Sequence, residues 1–411
     1  MKPWINTRPP SKIDLLGEFW VTDSVTGETF YPINENRLRM YVCGITPYDS
    51  AHLGHIFTYL IFDVINRVAL GLGAQVNYVQ NVTDIDDPLF ERARETGRAW
   101  DEIAAEQIGN FKNSLEFLEI IPPEAYILVT EEIDEIESDL SKLKDHMYQT
   151  NHNFYFKSRL DQLMEFTGLD EAKLIEIADQ RGGDSKQAGK FHPLDPKLWV
   201  ESKPDEPYWY SALGAGRPGW HIECVSIANK YLGNNFDLQG GGSDLLFPHH
   251  AFCNELALAL NGSPLARGFI HVSLVGYQGE KMSKSLGNLV FLKDLADQGF
   301  DPSEIRLALL LQDWRKPWEF NFTLMESARE MLKRWKSAYL DSKLPKIDVF
   351  REVISSNLLH GLFIHQTLLE FDKCISISNK SSDREIVSEY LDSLFGINIK
   401  NIDGEANELH N

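Results

Sequence analysis

Along the first half of this chain the apolar positions alternate between two periods. The run LRMYVC at 38–43 is almost continuously apolar, as a strand covered on both faces must be. A turn with Gly44 and Pro47 follows, and then Leu53, Ile56, Phe57, Leu60, Ile61, Val64 and Val68 mark one helical face that Gly71 and Gly73 end. VNYVQNV at 76–82 predicts a second strand, so the opening reads as a strand–helix–strand unit of a parallel sheet. Asp84, Asp86 and Asp87 follow directly, and helical spacing dominates to about residue 143, broken at Pro122 and Pro123. Residues 151–210 carry many Gly and Pro turn signals, and 116–205 is read as an insertion. Parallel-sheet grammar resumes near Pro218, with helical CVSIANKYL, strand-like 236–239 running into a Gly240-Gly-Gly242 turn, and another strand over 269–275. From Pro302 the spacing is helical, most clearly at 304–311, 324–339 and 350–371. The predicted fold is α/β: a segment 1–37, sheet halves at 38–115 and 206–290 around the insertion, and a helical region 291–411.

Composition narrows this picture. At 411 residues, with 43% hydrophobic and 25% charged positions, two or three globular domains are expected. The N-terminus lacks the apolar run of a signal peptide and no stretch approaches bilayer length, so no membrane contact and a cytoplasmic location are expected. Four cysteines are too few for a disulfide scaffold, which leaves reduced thiols or metal ligands. The net charge of −21 disfavours a large nucleic-acid partner unless basic residues are concentrated locally. The acidic run at 131–139 reads as a solvated helix face, and Trp314 and Trp318 as packing at a domain junction.

Two short stretches carry chemistry. In His52-Leu-Gly-His55 a glycine and two imidazoles open a helix, whose unpaired N–H groups and dipole favour phosphate. In Lys281-Met-Ser-Lys-Ser285 two cations and two hydroxyls sit in a polar loop after a strand, suited to negative charge building on a leaving pyrophosphate. The catalytic candidates are thus His52, His55, Lys281 and Lys284. Either stretch alone is weak; together, each after a strand, they point to ATP.

With these motifs the chain resembles the class I aminoacyl-tRNA synthetases, and within them the cysteinyl branch. Cys43-Gly-Ile-Thr46, Asn81-Val-Thr-Asp-Ile-Asp-Asp87, Arg217-Pro-Gly-Trp-His-Ile-Glu-Cys224 and Gly240-Gly-Gly-Ser-Asp-Leu-Leu-Phe-Pro-His-His250 carry the likeness over about 38–290. It implies a Rossmann-like, HIGH-type nucleotidyl-transferase domain, with ATP as substrate together with Mg²⁺. It also implies one Zn²⁺ per chain on Cys43, Cys224 and His249, its fourth position open to the thiolate of L-cysteine. Cys253 stands where the cysteinyl enzymes carry glutamate, one helical turn after His249, and reads either as a further ligand or as a packed thiol.

Other residues resemble a different branch. Pro47, Pro88, the Arg181-Gly-Gly-Asp184 core and the stretch Ala188-Gly-Lys-Phe-His-Pro-Leu-Asp-Pro-Lys-Leu-Trp199 are similar to the mycothiol-biosynthesis ligases, which join cysteine to the amine of glucosaminyl-inositol; Gln180 and Ser185 depart from that pattern. This likeness implies that Cys43, Gly44, Ile45, Thr46, Thr58, Asn81, Val82, Thr83, Trp220, Gly242, Ser243, Asp244 and Val275 line a cysteinyl-adenylate. Physically, Trp220 offers an apolar wall, while Thr83 and Asp244 offer hydrogen bonds. The expected partners are L-cysteine, ATP and glucosaminyl-inositol, with a monomer and no tRNA. The alternatives are a compact cysteinyl-tRNA synthetase and a non-catalytic cysteine or adenylate binder.

Overall fold

Arg37–Val42 is the centre of the molecule, and its residues alternate between two cores. Leu38, Met40 and Val42 face one apolar cluster, whereas Tyr41 and then Cys43 face another. In the computed structural model, which describes residues 1–6, 8–282 and 287–400, this strand is the middle of a five-stranded sheet. The order is Phe269–Val272, Leu238–Gly242, Arg37–Val42, Gln75–Val82, Ala125–Leu128, with all neighbours parallel. Helix Leu53–Gly71 packs in the first core and helix Trp220–Leu232 in the second. Strand order reverses between Arg37–Val42 and Leu238–Gly242, and the crevice beyond their C-terminal ends is where such sheets bind ligands.

The antiparallel part is a second five-stranded sheet, ordered Met147–Thr150, Asn153–Phe156, Lys197–Val200, Gly214–Pro218, Trp209–Ser211. Helices Leu160–Thr167 and Glu171–Gln180 lie between its second and third strands in the chain. The expected helical stretch up to residue 143 is interrupted by Ala125–Leu128, the edge strand of the parallel sheet. Ala125–Leu128 thus belongs to the parallel sheet, and the antiparallel strands run from Met147 to Pro218.

The segment 1–37 packs into the first core. Trp4, Ile13, Leu15, Phe19 and Val21 are buried in the first core, and Val21–Thr22 pairs with Thr29–Phe30 as a small hairpin. The predicted helix at 350–371 is broken as well. The helical run from Ile347–Val353 through Ile354–Leu359 stops at Gly361 (φ 100°) and Leu362 (φ 55°), where Gly361 N–H donates to Trp20 O at 2.8 Å, and Ile364–Ile377 starts anew. A buried carboxylate ties these helices to the sheet domain: Asp63 accepts from Arg67 at 2.8 Å and Arg306 at 2.5 Å, and Arg306 also donates to Phe395 O and Leu118 O. Burial would raise the Asp63 carboxyl, but the two guanidiniums outweigh it and hold the group below its ordinary value. Helix Leu53–Gly71 does reach bilayer-spanning length and apolarity, contrary to the sequence expectation, but 83% of its apolar window is buried inside the protein.

Candidate active site

Helix Leu53–Gly71 begins with two imidazoles used as caps. His52 Nδ1 accepts from Gly54 N–H at 3.1 Å, and His55 Nδ1 accepts from His52 N–H at 3.3 Å. Because Nδ1 is the acceptor in both rings, each neutral imidazole carries its proton on Nε2. The rings lie 4.0 Å apart, centroid to centroid, and both line a cavity of about 920 Å³ at the sheet's switch point. Gly54 is required for this fold-back: a Cβ there would come 2.8 Å from the His52 ring.

Deeper in the same region, the strand alternation that turns Cys43 into the second core brings it against helix Trp220–Leu232. Cys43 Sγ stands 3.9 Å from Cys224 Sγ, and Cys224 Sγ stands 3.3 Å from His249 Nε2. All three are at most 5% exposed. The predicted trio therefore meets. Sequence reasoning gave no role to His221, Gln239 and His250, which surround it. Gln239 Nε2 lies 3.3 Å from Cys43 Sγ and 3.0 Å from His250 Nε2, His250 Nδ1 lies 2.8 Å from His271 Nε2, and His271 Nδ1 lies 2.6 Å from Ser24 Oγ. One proton assignment satisfies the row: the Gln239 amide donates to His250, His250 Nδ1–H to His271, His271 Nδ1–H to Ser24, and Ser24 O–H to Phe269 O at 2.8 Å. With both nitrogens occupied, His250 is a support for Cys43. Its signal was the tandem His249-His250; Gln239, at the end of a strand entering a glycine turn, had none.

The donor set suits a soft divalent cation. In a tetrahedral zinc site with Zn–S of about 2.3 Å and Zn–N of about 2.0 Å, sulfur pairs stand about 3.8 Å apart and sulfur–nitrogen pairs about 3.5 Å. Burial holds His249 well below the ordinary imidazole range, so its lone pair is available, and the 3.1 Å contact between His249 Nδ1 and His221 Nδ1 gives the opposite face of the ring a partner. The contact with Cys43, with burial, pushes the Cys224 thiol well above its ordinary range, a cost that a bound cation reverses.

The remaining predicted residues form walls or hold them. Cys43, Gly44, Ile45, Thr46, Thr58, Trp220, Gly242, Asp244 and Val275 line the cavity. Trp220 stacks on His249 with centroids 4.3 Å apart, and Tyr59, on the same helix as His52, donates to Cys43 O at 2.9 Å. Asn81, Val82 and Thr83 sit behind the wall. Asn81 Oδ1 accepts from Gly44 N–H at 2.8 Å and Thr83 N–H donates to Ile45 O at 3.1 Å, while Val82 is in the core. Ser243 opens the short turn Ser243–Leu245 beside the cavity. Lys284 and the side chain of Lys281 lie outside the described residues, although Met282 reaches the cavity and is buried. Further lining residues, Arg181 and Asp86 among them, were missed as site residues. Arg181 donates to the carbonyls of Asp244 and Phe247, joining the insertion to the glycine turn, and Asp86, whose carboxyl burial pushes up to about 6, caps helix Asp87–Thr96 with Pro88 in its first turn.

Comparison with known proteins agrees with this geometry. A family model described as "tRNA synthetases class I (C) catalytic domain" matches residues 29–330. The chain is 41% identical to the L-cysteine:1D-myo-inositol 2-amino-2-deoxy-alpha-D-glucopyranoside ligase of Thermobifida fusca, over 97% of this chain and 98% of that one. It is 47% identical to the protein of the same name from Nocardiopsis dassonvillei, over 78% and 80%. Among solved structures it is similar in fold to Mycobacterium tuberculosis methionyl-tRNA synthetase in complex with methionyl-adenylate, with a TM-score of 0.60 at 15% identity, covering 87% of this chain and 89% of that one.

Proposed function

Because this chain belongs to the class I (C) tRNA-synthetase catalytic-domain family, and within it to the L-cysteine:1D-myo-inositol 2-amino-2-deoxy-α-D-glucopyranoside ligases, we propose that it joins L-cysteine to the amine of that aminosugar. The cysteine carboxylate attacks the α-phosphate of ATP, pyrophosphate leaves, and the sugar amine then attacks the adenylate carbonyl and expels AMP. The observation that carries this reading is the adjacency of the Cys43, Cys224 and His249 cluster to the cavity that His52 and His55 line.

In the first step the Nε2–H groups of His52 and His55 and the N–H groups at the helix start donate to phosphate oxygens as charge moves onto the leaving pyrophosphate. One such preorganised donor contributes about 3 kcal/mol. Lys281 and Lys284 are assigned to the same charge. Zn²⁺ on Cys43, Cys224 and His249 would bind the substrate thiolate, a bond that serine cannot match. Trp220 covers His249 and bounds the thiol end, Asn81 holds Gly44 in place, and Thr46, Thr58 and Asp244 supply polar atoms along the adenylate.

The walls also bear on the acceptor. Asp49, Asp86 and Glu91 line the cavity and offer carboxyl oxygens to a cationic amine, while Asp87, beside them, is paired with Arg217. The reading includes one zinc per chain, Mg²⁺ with the ATP, and a monomeric cytoplasmic enzyme. Purified protein given ATP, cysteine and the aminosugar should release AMP only when all three are present and yield an amide identifiable by mass spectrometry. Formation of cysteinyl-tRNA with no amide would overturn it in favour of a tRNA synthetase.

A further inference from the structure

One thiol in the cluster has no part in the chemistry above. Cys253 lies on helix Ala251–Asn261, is 1% exposed, and places its Sγ 3.7 Å from His249 Nε2. That nitrogen is the same atom that Cys224 Sγ approaches at 3.3 Å. Both spacings bracket the roughly 3.5 Å expected for sulfur and nitrogen on one tetrahedral zinc, and the 3.9 Å between Cys43 and Cys224 meets the roughly 3.8 Å expected for two sulfurs. Nearby imidazoles are poorer fourth ligands. His250 Nε2 lies 3.2 Å from Cys43 Sγ, but Gln239 Nε2 also stands 3.0 Å from that nitrogen and His271 Nε2 stands 2.8 Å from His250 Nδ1, while His221 Nδ1 faces His249 Nδ1 at 3.1 Å, where it accepts the proton that leaves His249 Nε2 open.

We propose that Cys253 is the fourth zinc ligand before substrate arrives, closing a three-thiolate, one-imidazole site, and that the thiol of L-cysteine displaces it. This rests on the zinc reading given above. The exchange is balanced: the bond from zinc to Cys253 breaks as the bond to the substrate sulfur forms, and the substrate thiol proton passes to the released Cys253 sulfur. The displaced thiol has a place to go, because Cys253 Sγ donates to His221 O at 3.3 Å. Such a site opens for a thiolate and stays shut to a serine hydroxyl, a far poorer competitor for zinc.

Cobalt substitution of the full-length protein tests this, because the thiolate-to-cobalt charge-transfer absorbance scales with the number of sulfur ligands. Wild type should show three thiolates' worth of absorbance and keep it when cysteine is added, one sulfur replacing another. Cys253→Ser should start at about two-thirds of that value and rise by about half on adding cysteine. Cys253→Ala, which has no oxygen donor, repeats the comparison should the serine itself ligate. Equal starting intensities, with both proteins rising on cysteine, would overturn the proposal while leaving a zinc site on Cys43, Cys224 and His249. No band in wild type would overturn both.

Discussion

The two ends of the cavity are built in opposite ways. At the phosphate end, His52 and His55 are three residues apart, partly or fully exposed, and oriented by hydrogen bonds to their own backbone. At the thiol end, Cys43, Cys224 and His249 come from just beyond a strand, from a helix and from the short helical run Leu246–His250, are nearly sealed from water, and are held through Gln239, His221 and His250. Charge stabilisation of a leaving group needs donors of the right sign already aimed at the phosphate, and a local motif on a helix start supplies them. Selection of one sulfur over one oxygen needs fixed ligand positions, and only a packed core supplies those.

If the ends divide the work in this way, mutations should divide likewise. The largest effect is expected from Cys224→Ala, which should raise the KM for cysteine about 10³-fold in ATP–pyrophosphate exchange while ATP affinity stays within about twofold. Equal losses for both substrates would mean the cluster is only a structural staple. Next, His52→Ala should lower kcat about 10²-fold with zinc content unchanged. It should also cost about 1 kcal/mol in urea unfolding, a cost that His52→Asn, which can still cap the helix, avoids while losing the same kcat. A metal loss in either variant would break the comparison.

The smallest effect concerns Glu255, on the same helix as Cys253, which accepts from Arg159 N–H at 2.7 Å and whose carboxyl burial pushes up to about 8. Its folded value lies above the unfolded one, so its contribution is complete below about pH 4.3 and is lost as pH rises toward 8. Stability should therefore fall by about 1–2 kcal/mol between about pH 6.5 and 8 in wild type and stay flatter in Glu255→Gln. A wild-type profile no steeper than that of the variant would show that the carboxyl is charged in the fold.

Much of the parallel sheet was legible because its strands are nearly continuous apolar runs next to a strongly periodic helix. The observed strands Arg37–Val42 and Gln75–Val82 and helix Leu53–Gly71 fall within a residue or a few of the reading. Ala125–Leu128 was missed because four residues between a proline pair and an acidic helix carry too little pattern to separate strand from helix. The break at Gly361 depends on a contact with Trp20, more than three hundred residues away, which no local window contains. Likewise, the sequence pattern could suggest Cys43 and Cys224 as a pair, but the strand alternation that turns Tyr41 and Cys43 toward one core, and the proton row through His250, exist only once the strands are paired.

One small feature limits how this scaffold could be changed. A Cβ on Gly44 would fall 1.6 Å from Asn81 O, inside the backbone of the neighbouring strand, so no side chain is tolerated next to Cys43. An attempt to retrain the enzyme toward a larger or differently shaped amino acid cannot start there, since the strand ends would have to separate and carry the thiol with them. Room for engineering lies along the cavity wall at Thr46 and Thr58, which line the same space. Directed libraries that randomise those two positions and leave Gly44 untouched keep the metal ligands fixed while the substrate changes.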